Sequence, residues 1–465
     1  MRKHPIAAIA TPPGSGGVSI IRVSGQQLVG LAEVILAKPP TTRYAHHFFL
    51  NDAQGNRLDE ALLIFFKGPA SFTGEDVIEL HCHGGAHLSQ AILNRVLELG
   101  NDWGMKQAEA GEFSLRAYLN GKIDLVQAEA IADLINAQSD AAIKGAARSL
   151  RGQFSDSVNQ LIEEITQLRI LVESTLDFPE EEIEFLESSK ANERLESILK
   201  KLQDLVEKTQ QGKILRDGIR LALVGSPNVG KSSLLNCLLG EERAIVTPVA
   251  GTTRDRIEES ITLQGVPVHL VDTAGLRVSA DVVEQIGIAR TWDAIEDADT
   301  IIFMRDLSTT QSGEDGGLEE KVKARANKKA HIIEVFNKLD LVDSQKRQLG
   351  ISTYEKNTIE KNTIHISAKT GDGIDALKER ILSLAGWQAN LAAGIFTARD
   401  RHLSAIAEAK ESLLKAQAHG LNGNHSLDLF AEELRLSQDA LGQITGKLLP
   451  DELLGKIFSE FCIGK

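Results

Sequence analysis

The stretch "GIRLALVGSPNVGKSSLLNCLLG" constrains this chain more than any other: an apolar run, a glycine-punctuated loop and a helical run follow one another without a gap. Such a run bounded by glycine reads as a buried strand, and the apolar spacing after it is that of a helix. From Gly225 to Ser232 the loop matches G-x-x-x-x-G-K-S. Between a strand and a helix, this pattern gathers backbone amides around phosphate oxygens, helped by the positive end of the helix. Lys231 places a point charge at the β and γ phosphates, and the Ser232 hydroxyl is a ligand for Mg2+. A glycine-rich turn without a ligand would satisfy the bare pattern but ignores its setting.

Three further segments follow in the order that a nucleotide-hydrolysing domain needs. "DTAG" puts Asp272 at the end of the apolar strand "VHLV", where a carboxylate holds the metal through water and the Gly275 amide meets the γ-phosphate. "NKLD" follows "HIIEVF", so Asn337 and Asp340 stand at the C-terminal end of a strand, where ligands of open α/β sheets bind. The Asp340 carboxylate accepts N1–H and N2–H2 of guanine, whereas adenine would leave it buried and unpaired. That selects GTP over ATP. "SAK", Ser367 to Lys369, adds a loop whose backbone amide reaches the base oxygen. Each segment alone is weak, but four in order are strong.

"GTTRD" lies between the first two, and Thr252 or Thr253 can reach Mg2+ only with the γ-phosphate present, so this segment reads as a switch loop. After "DTAG" stands Leu276, which cannot orient water where many GTPases carry glutamine. Catalytic help then comes from Arg277, from Glu284, or from a cation held by Asn228.

Around this segment the pattern changes. Residues 1–120 mix short apolar runs with Gly/Pro punctuation, reading as an α+β domain. Residues 121–215 turn helical, with apolar stripes Val158, Leu161, Ile162, Ile165, Leu168, Val172 and then Leu195, Ile198, Leu199, Leu202, Leu205, Val206. Between them "DFPEEEIEF" reads as an acidic helix boundary. βα alternation occupies 216–383, and helical text returns over 384–465 with Leu434, Leu441, Ile444, Leu448, Leu454 and Phe458 on one stripe. The economical architecture is a multidomain α/β chain: an α+β N-terminal domain, then a helical domain discontinuous in sequence, with a Ras-like P-loop G domain of mostly parallel sheet inserted into it.

The chain of 465 residues carries a formal charge of −14, which argues against broad binding to a polyanion and leaves room only for local contacts with nucleic acid. No window approaches the ~20 apolar residues needed to cross a bilayer, so membrane insertion is not expected and a cytoplasmic protein is. Its three cysteines, Cys82, Cys237 and Cys462, are too few and too scattered for a disulfide framework or a four-thiolate zinc site. Cys237 reads as core. On the strand "VIELHCH", His81 and His83 share a face beside Glu79, an arrangement that binds metal only with a third strong ligand, and none is evident. At the C-terminus "FCIGK" places Cys462 four residues after Phe458; spacing alone makes it a small buried hydrophobe, while its nearness to the end suits a thiol reaching into a cleft.

Taken together, "TPPGSGGVSIIRVSG", "TGEDVIELHCHGG", "AGEFSLRAYLNGKIDLVQAEA", the GTPase segments with "GTTRD" and "DTAGLR", and the closing "FCIGK" resemble the MnmE (TrmE) family along the whole chain. Two local departures are Ser15, where the family commonly has arginine, and "HCHGG" at 81–85. The resemblance implies a homodimeric GTPase that works with the FAD-dependent protein MnmG on the tRNA anticodon loop. It adds a carboxymethylaminomethyl or aminomethyl group to C5 of uridine 34. By the same resemblance GTP or GDP is held by Asn228, Val229, Gly230, Lys231, Ser232 and Ser233; by Thr247, Pro248, Val249, Ala250, Gly251, Thr252 and Thr253; by Asp272, Thr273, Ala274 and Gly275; by Asn337, Lys338 and Asp340; and by Ser367, Ala368 and Lys369. Mg2+ falls to Ser232 and Thr253, and K+ to Asn228, Thr247, Val249 and Thr252, replacing an arginine finger. Glu284 becomes the water-orienting residue. A folate cofactor, 5-formyl-tetrahydrofolate or a relative, falls on Arg22, Glu79, Lys122 and Lys465, with Cys462 as the nucleophile toward uracil. Two other classes stay open: a regulatory GTPase switch in ribosome or RNA assembly, and a folate-dependent transferase with GTPase as timer.

Overall fold

The computed structural model describes residues 4–177, 190–241, 259–272, 292–308, 315–342, 362–388, 394–421, 426–447, 451–459 and 461–464. The first sheet has six strands, β1 (Ile6–Ile9), β2 (Val18–Gly25), β3 (Ala45–Asn51), β4 (Arg57–Phe66), β5 (Asp76–His83) and β6 (Lys106–Gln107), in the order β3-β4-β5-β2-β1-β6. All pairs are antiparallel except β1 with β6. Burial alternates along β3 and β4, as one covered face requires. Helices α1 (Val29–Leu36) and α2 (Ala86–Leu99) cover that face, burying Leu31, Ile35, Ile92 and Val96 against Ile21, Val23, Leu63 and Ile78. This is the expected α+β domain.

Helix α3 (Glu112–Leu119) leads to α4 (Leu125–Asn136), α5 (Asp140–Leu150), α6 (Gln153–Asp177) and α7 (Ala191–Asp217). The second sheet follows: β7 (Ile219–Gly225), β8 (Glu259–Leu263), β9 (Val266–Asp272), β10 (Thr300–Asp306), β11 (His331–Asn337) and β12 (Thr363–His365), with α8 (Lys231–Glu241), α9 (Asp315–Arg325) and α10 (Ile374–Leu384). Its order is β12-β11-β10-β7-β9-β8, parallel except for β8. Here strict βα alternation fails, because Gln264 and Gly265, at φ 48° and 87°, fold β8 back on β9 as a hairpin. Chain α11 (Asp400–Gly420), α12 (Leu427–Thr445) and α13 (Asp451–Ser459) then complete the helical part. Among the described residues no helix is long and apolar enough to cross a membrane.

The helical core unites distant text. Val158, Leu161, Ile165, Leu168 and Val172 of α6 and Leu195, Ile198, Leu202 and Leu205 of α7 meet Ile406, Leu413, Phe430, Leu434 and Ile444 of α11 and α12. Both stripes read from the sequence are therefore buried, with Ile162, Leu199 and Val206 at their margins. The "DFPEEEIEF" connector lies outside the described residues from Phe178 onward.

A buried ionic cluster ties α4 to the start of α11. Glu129 accepts hydrogen bonds from Arg401 Nε and Nη2 at 2.7 and 2.8 Å and from His402 Nε2 at 3.0 Å. Arg401 also donates to the carbonyls of Gln443 and Ile444 at the end of α12. Burial would push the Glu129 carboxyl up, but His402 and the Arg401 guanidinium hold it well below the usual carboxylate range. Burial pushes His402 down; its Nδ1 accepts from the Arg399 amide, so the neutral ring carries its proton on Nε2. Replacing Glu129 with glutamine is expected to cost about 3–5 kcal/mol, since it leaves Arg401 without its counter-charge, and urea unfolding at neutral pH measures this. The depressed carboxyl contributes fully above its unfolded pKa of about 4.3 and loses that contribution as pH falls further, so the variant should lack this part of the acid dependence.

Candidate functional site

The phosphate loop leaves the sheet at β7, beside which the chain order reverses, the usual ligand crevice of an open α/β sheet. Gly225 lies so close to β10 that a Cβ would sit 2.4 Å from the Met304 carbonyl oxygen. Asn228 and Gly230 adopt left-handed conformations, at φ 63° and 98°. A Cβ on Gly230 would lie 2.2 Å from Asn337 Nδ2. Lys231 folds over the loop and donates to the Gly225 and Ser226 carbonyls at 2.7 and 3.1 Å. Ser232 and Ser233 are exposed on the first turn of α8, the end of a helix that favours an anion.

Asn337 does something that its motif does not reveal. It is 3% exposed; its Nδ2 donates to the Val229 carbonyl at 2.8 Å, and its Oδ1 accepts from the Ala368 amide at 2.9 Å. One amide thus joins the phosphate loop, the NKLD segment and the SAK loop. Asp340, half-buried in a 3-10 turn (Leu339–Leu341), accepts from the Ser367 hydroxyl at 2.8 Å, which fixes the carboxylate, while Ser367 Oγ accepts from the Thr370 amide. Lys338 pairs with Asp306 at 2.5 Å. Burial would raise the Asp306 carboxyl, yet Lys338 and Ser308 hold it below its usual range. Sequence reading passed over Asp306, although an aspartate closing the apolar run "IIFMRD" stands at the same end of its strand as Asp272 does. Lys369 is exposed and Ala368 half-buried on the SAK loop.

Asp272 ends β9, with its side chain outside the described set. Outside it also lie Thr247, Pro248, Val249, Ala250, Gly251, Thr252, Thr253, Thr273, Ala274, Gly275, Leu276, Arg277 and Glu284.

A second constellation forms where the chain's end meets the N-terminal sheet. Arg22 of β2 faces Glu79 of β5 in register, with Nε 2.9 Å from Glu79 Oε1, and its Nη1 donates to the Gly464 carbonyl at 3.2 Å. Phe113 lies under the guanidinium, 5.9 Å from its ring centroid. Ile463 bridges Ala110 in antiparallel fashion, and a Cβ on Gly464 would lie 2.4 Å from the Ile9 carbonyl oxygen. The tail is therefore fitted to this surface. Lys122 joins neither partner: its ammonium donates to the Pro69 carbonyl at 3.0 Å. Lys465 lies outside the described residues.

Cys462 is exposed, which overturns its reading as a buried hydrophobe. The helix stops at Ser459, so the four-residue spacing from Phe458 no longer applies; the tail turns Phe461 inward against Leu125, Ala128 and Phe458 and leaves the next side chain outside. Cys82 is the contrasting thiol, pushed up to about 12 by burial and by Asp59. Cys237 is half-buried against the G-domain core. His83 takes Asp59 at 2.7 Å and His81 lies 3.4 Å from Glu79, and no group of three or more metal-ligating side chains occurs among the described residues.

Two family profiles match: "GTP-binding protein TrmE N-terminus" over residues 5–122 and "MnmE helical domain" over residues 125–462. A Polynucleobacter asymbioticus protein described as tRNA modification GTPase MnmE is 56% identical over 464 residues, covering 100% of this chain and 99% of that one. Proteins of the same description from Bordetella parapertussis and Methylibium petroleiphilum are 49% and 48% identical, again over 99% of their own lengths. Arg22, Glu79 and Gly464 meet on one face, and with both profiles and the full-length relatives the chain belongs to the MnmE family of tRNA modification GTPases.

Proposed function

We propose that the chain hydrolyses GTP to drive modification of the wobble uridine of tRNA at C5, with Cys462 as the nucleophile toward the base. The observation that supports this reading is the exposed thiol on a tail that bridges Ala110 and whose Gly464 carbonyl accepts from Arg22 of the Arg22–Glu79 pair, in a chain whose phosphate loop, NKLD and SAK segments are tied together by Asn337. A nucleotide switch alone needs no such tail. In the proposed step the Cys462 thiolate adds to C6 of the uracil, and electron density moves to C5, which bonds to a one-carbon electrophile. Loss of the C5 proton and expulsion of the thiolate then restore the ring.

A folate derivative would supply the one-carbon unit, and the donor set suits a heteroaromatic ring: a guanidinium and a carboxylate side by side, 24% and 17% exposed, flanked by the ring of Phe113. Lys122 and Lys465 are the further candidates. The FAD-dependent partner MnmG and an anticodon loop read at few points complete the proposed assembly, consistent with the acidic charge. Exposed Phe49, stacked on Arg57 at 3.7 Å, and exposed Leu62 on the neighbouring strand support a homodimer contact through the N-terminal sheet. In the G domain Asp340 would read guanine, Lys231 would take the phosphates, and Ser232 and Thr253 would ligate Mg2+. Asn228, with Thr247, Val249 and Thr252, would hold K+, and Glu284 would orient water.

Two measurements test this. Nucleoside analysis of tRNA from cells lacking the protein should show unmodified C5 at the wobble uridine; normal modification would instead favour the regulatory switch. GTP turnover should run at least about tenfold faster in potassium than in sodium, because the cation neutralises developing phosphoryl charge, and Glu284→Ala should lose that gain. Equal rates in both salts would remove the potassium claim.

A further inference from the structure

The β8–β9 hairpin holds an unusual position in the chain. "GTTRD" precedes β8, and β9 runs into Asp272 of "DTAG", so the hairpin is continuous with both segments assigned to the γ-phosphate. Its opposite end, the Gln264–Gly265 turn, rests on the helical domain. There Ser139, 8% exposed, caps α5: its Oγ accepts from the Ala142 amide at 3.1 Å and donates to the Gly265 carbonyl at 2.6 Å. The fit is tight, since a Cβ on Gly265 would lie 2.9 Å from Ala141 Cβ. Along the hairpin, His269 Nε2 lies 3.2 Å from the Asp217 carbonyl, and Ala142 and Leu215 share a core with Leu263, Val266, Val268 and Leu270.

From this anchor the chemistry at the tail is two packing steps away. Helix α5 packs on α4, and Leu125 and Ala128 of α4 pack against Leu454, Ile457, Phe458 and Phe461, the residue before Cys462. Ala142 and Phe461 moreover line one cavity of about 170 Å3, together with Asp133, Asn136, Arg216 and Arg399. Closely packed elements change place in discrete steps, and a space shared by the two ends gives such a step room.

We propose that Ser139 is a positioning residue, whose hydrogen bond to the Gly265 carbonyl couples the nucleotide state of the G domain to the placement of Cys462. The proposal rests on the reading that GTP and Cys462 serve one reaction. It requires that nucleotide alter the tail and that the alteration depend on this contact.

The reporter is the Cys462 thiol itself. In full-length protein carrying Cys237→Ser, with Cys82 buried, iodoacetamide alkylation of Cys462 is timed with GDP and with a non-hydrolysable GTP analogue. The two rates should differ by about fivefold or more. Ser139→Asp caps a helix as well as serine but has no proton for Gly265, so it should bring the ratio to about one while GDP affinity stays within about twofold. Ser139→Thr, which keeps the hydroxyl, should restore the ratio. If Ser139→Asp fails to bind GDP, Gly265→Ala, which breaks the contact from the hairpin side, decides. Equal rates in the parent, or a full ratio in Ser139→Asp, would overturn the proposal. Nucleoside analysis of the parent is scored separately: lost nucleotide dependence with normal tRNA modification defeats the coupling alone, whereas absent modification defeats the enzymatic reading.

Discussion

Cys462→Ser is expected to abolish uridine modification, by more than about 10³-fold, while leaving GTP hydrolysis within about twofold of the parent. The substitution preserves shape and keeps a hydroxyl, but a hydroxyl at neutral pH is a poor nucleophile toward C6 of uracil. Folding should be unaffected, since the side chain is exposed and the tail is held by others: Phe461 in the apolar cluster, Ile463 against Ala110, and Gly464 beneath Arg22. The measurement is modified nucleoside formed per enzyme, beside phosphate release from the same preparation. Normal modification by the serine protein would show that the thiol is not the nucleophile. Parallel loss of both activities would point to a collapsed tail instead.

Asp340→Asn should weaken GTP binding by about 10²- to 10⁴-fold, taking two hydrogen bonds to a charged acceptor at about 1.5–3 kcal/mol each and tenfold per 1.4 kcal/mol. Asparagine offers one acceptor and one donor where guanine presents two donors. Xanthine, with a carbonyl in place of the exocyclic amine, matches it, so xanthosine triphosphate should become the preferred ligand. Ser367 holds the side chain at this position in either case, which keeps the exchange local. Titration of both nucleotides checks it, and an unchanged GTP affinity would show that Asp340 does not read the base. Asn337→Ala should behave differently, because its amide bridges Val229 and Ala368: expected are about 2–3 kcal/mol of lost stability and weaker binding of every nucleotide alike.

What the sequence made legible was local. The phosphate loop, the ends of β9 and β11 and the stripes of α6 and α7 are short-range patterns, and they stand where their periods put them. Illegible features depend on residues far apart in the chain. Glu129 and Arg401 are separated by 272 positions, and neither carries a local sign of its partner. The β8–β9 turn uses Gln264 rather than the asparagine or aspartate that usually marks a two-residue hairpin, so β8 went unnoticed. Asn337 was legible as a ligand-end residue but not as the tie between three loops. Arg22 and Glu79 were assigned to one site by resemblance alone; their pairing came only with the register of β2 on β5. For Cys462 a helical spacing was extended past the point where the helix stops.

The divided helical core sets an order on biosynthesis. A ribosome finishes the N-terminal sheet, then α6 and α7, then the whole G-domain sheet, before α11 and α12 have been made. Through that interval Val158, Leu161, Ile165, Leu195, Ile198 and Leu202 await their partners Ile406, Leu413, Phe430 and Leu434. Nascent chains stalled between residues 217 and 400 should therefore present a long apolar face to chaperones and proteases, even with two sheets already closed. The thiol's surroundings, where Ile463 lies along Ala110 and Gly464 beneath Arg22, form only after that core has closed, because these residues follow α11 and α12 in the chain.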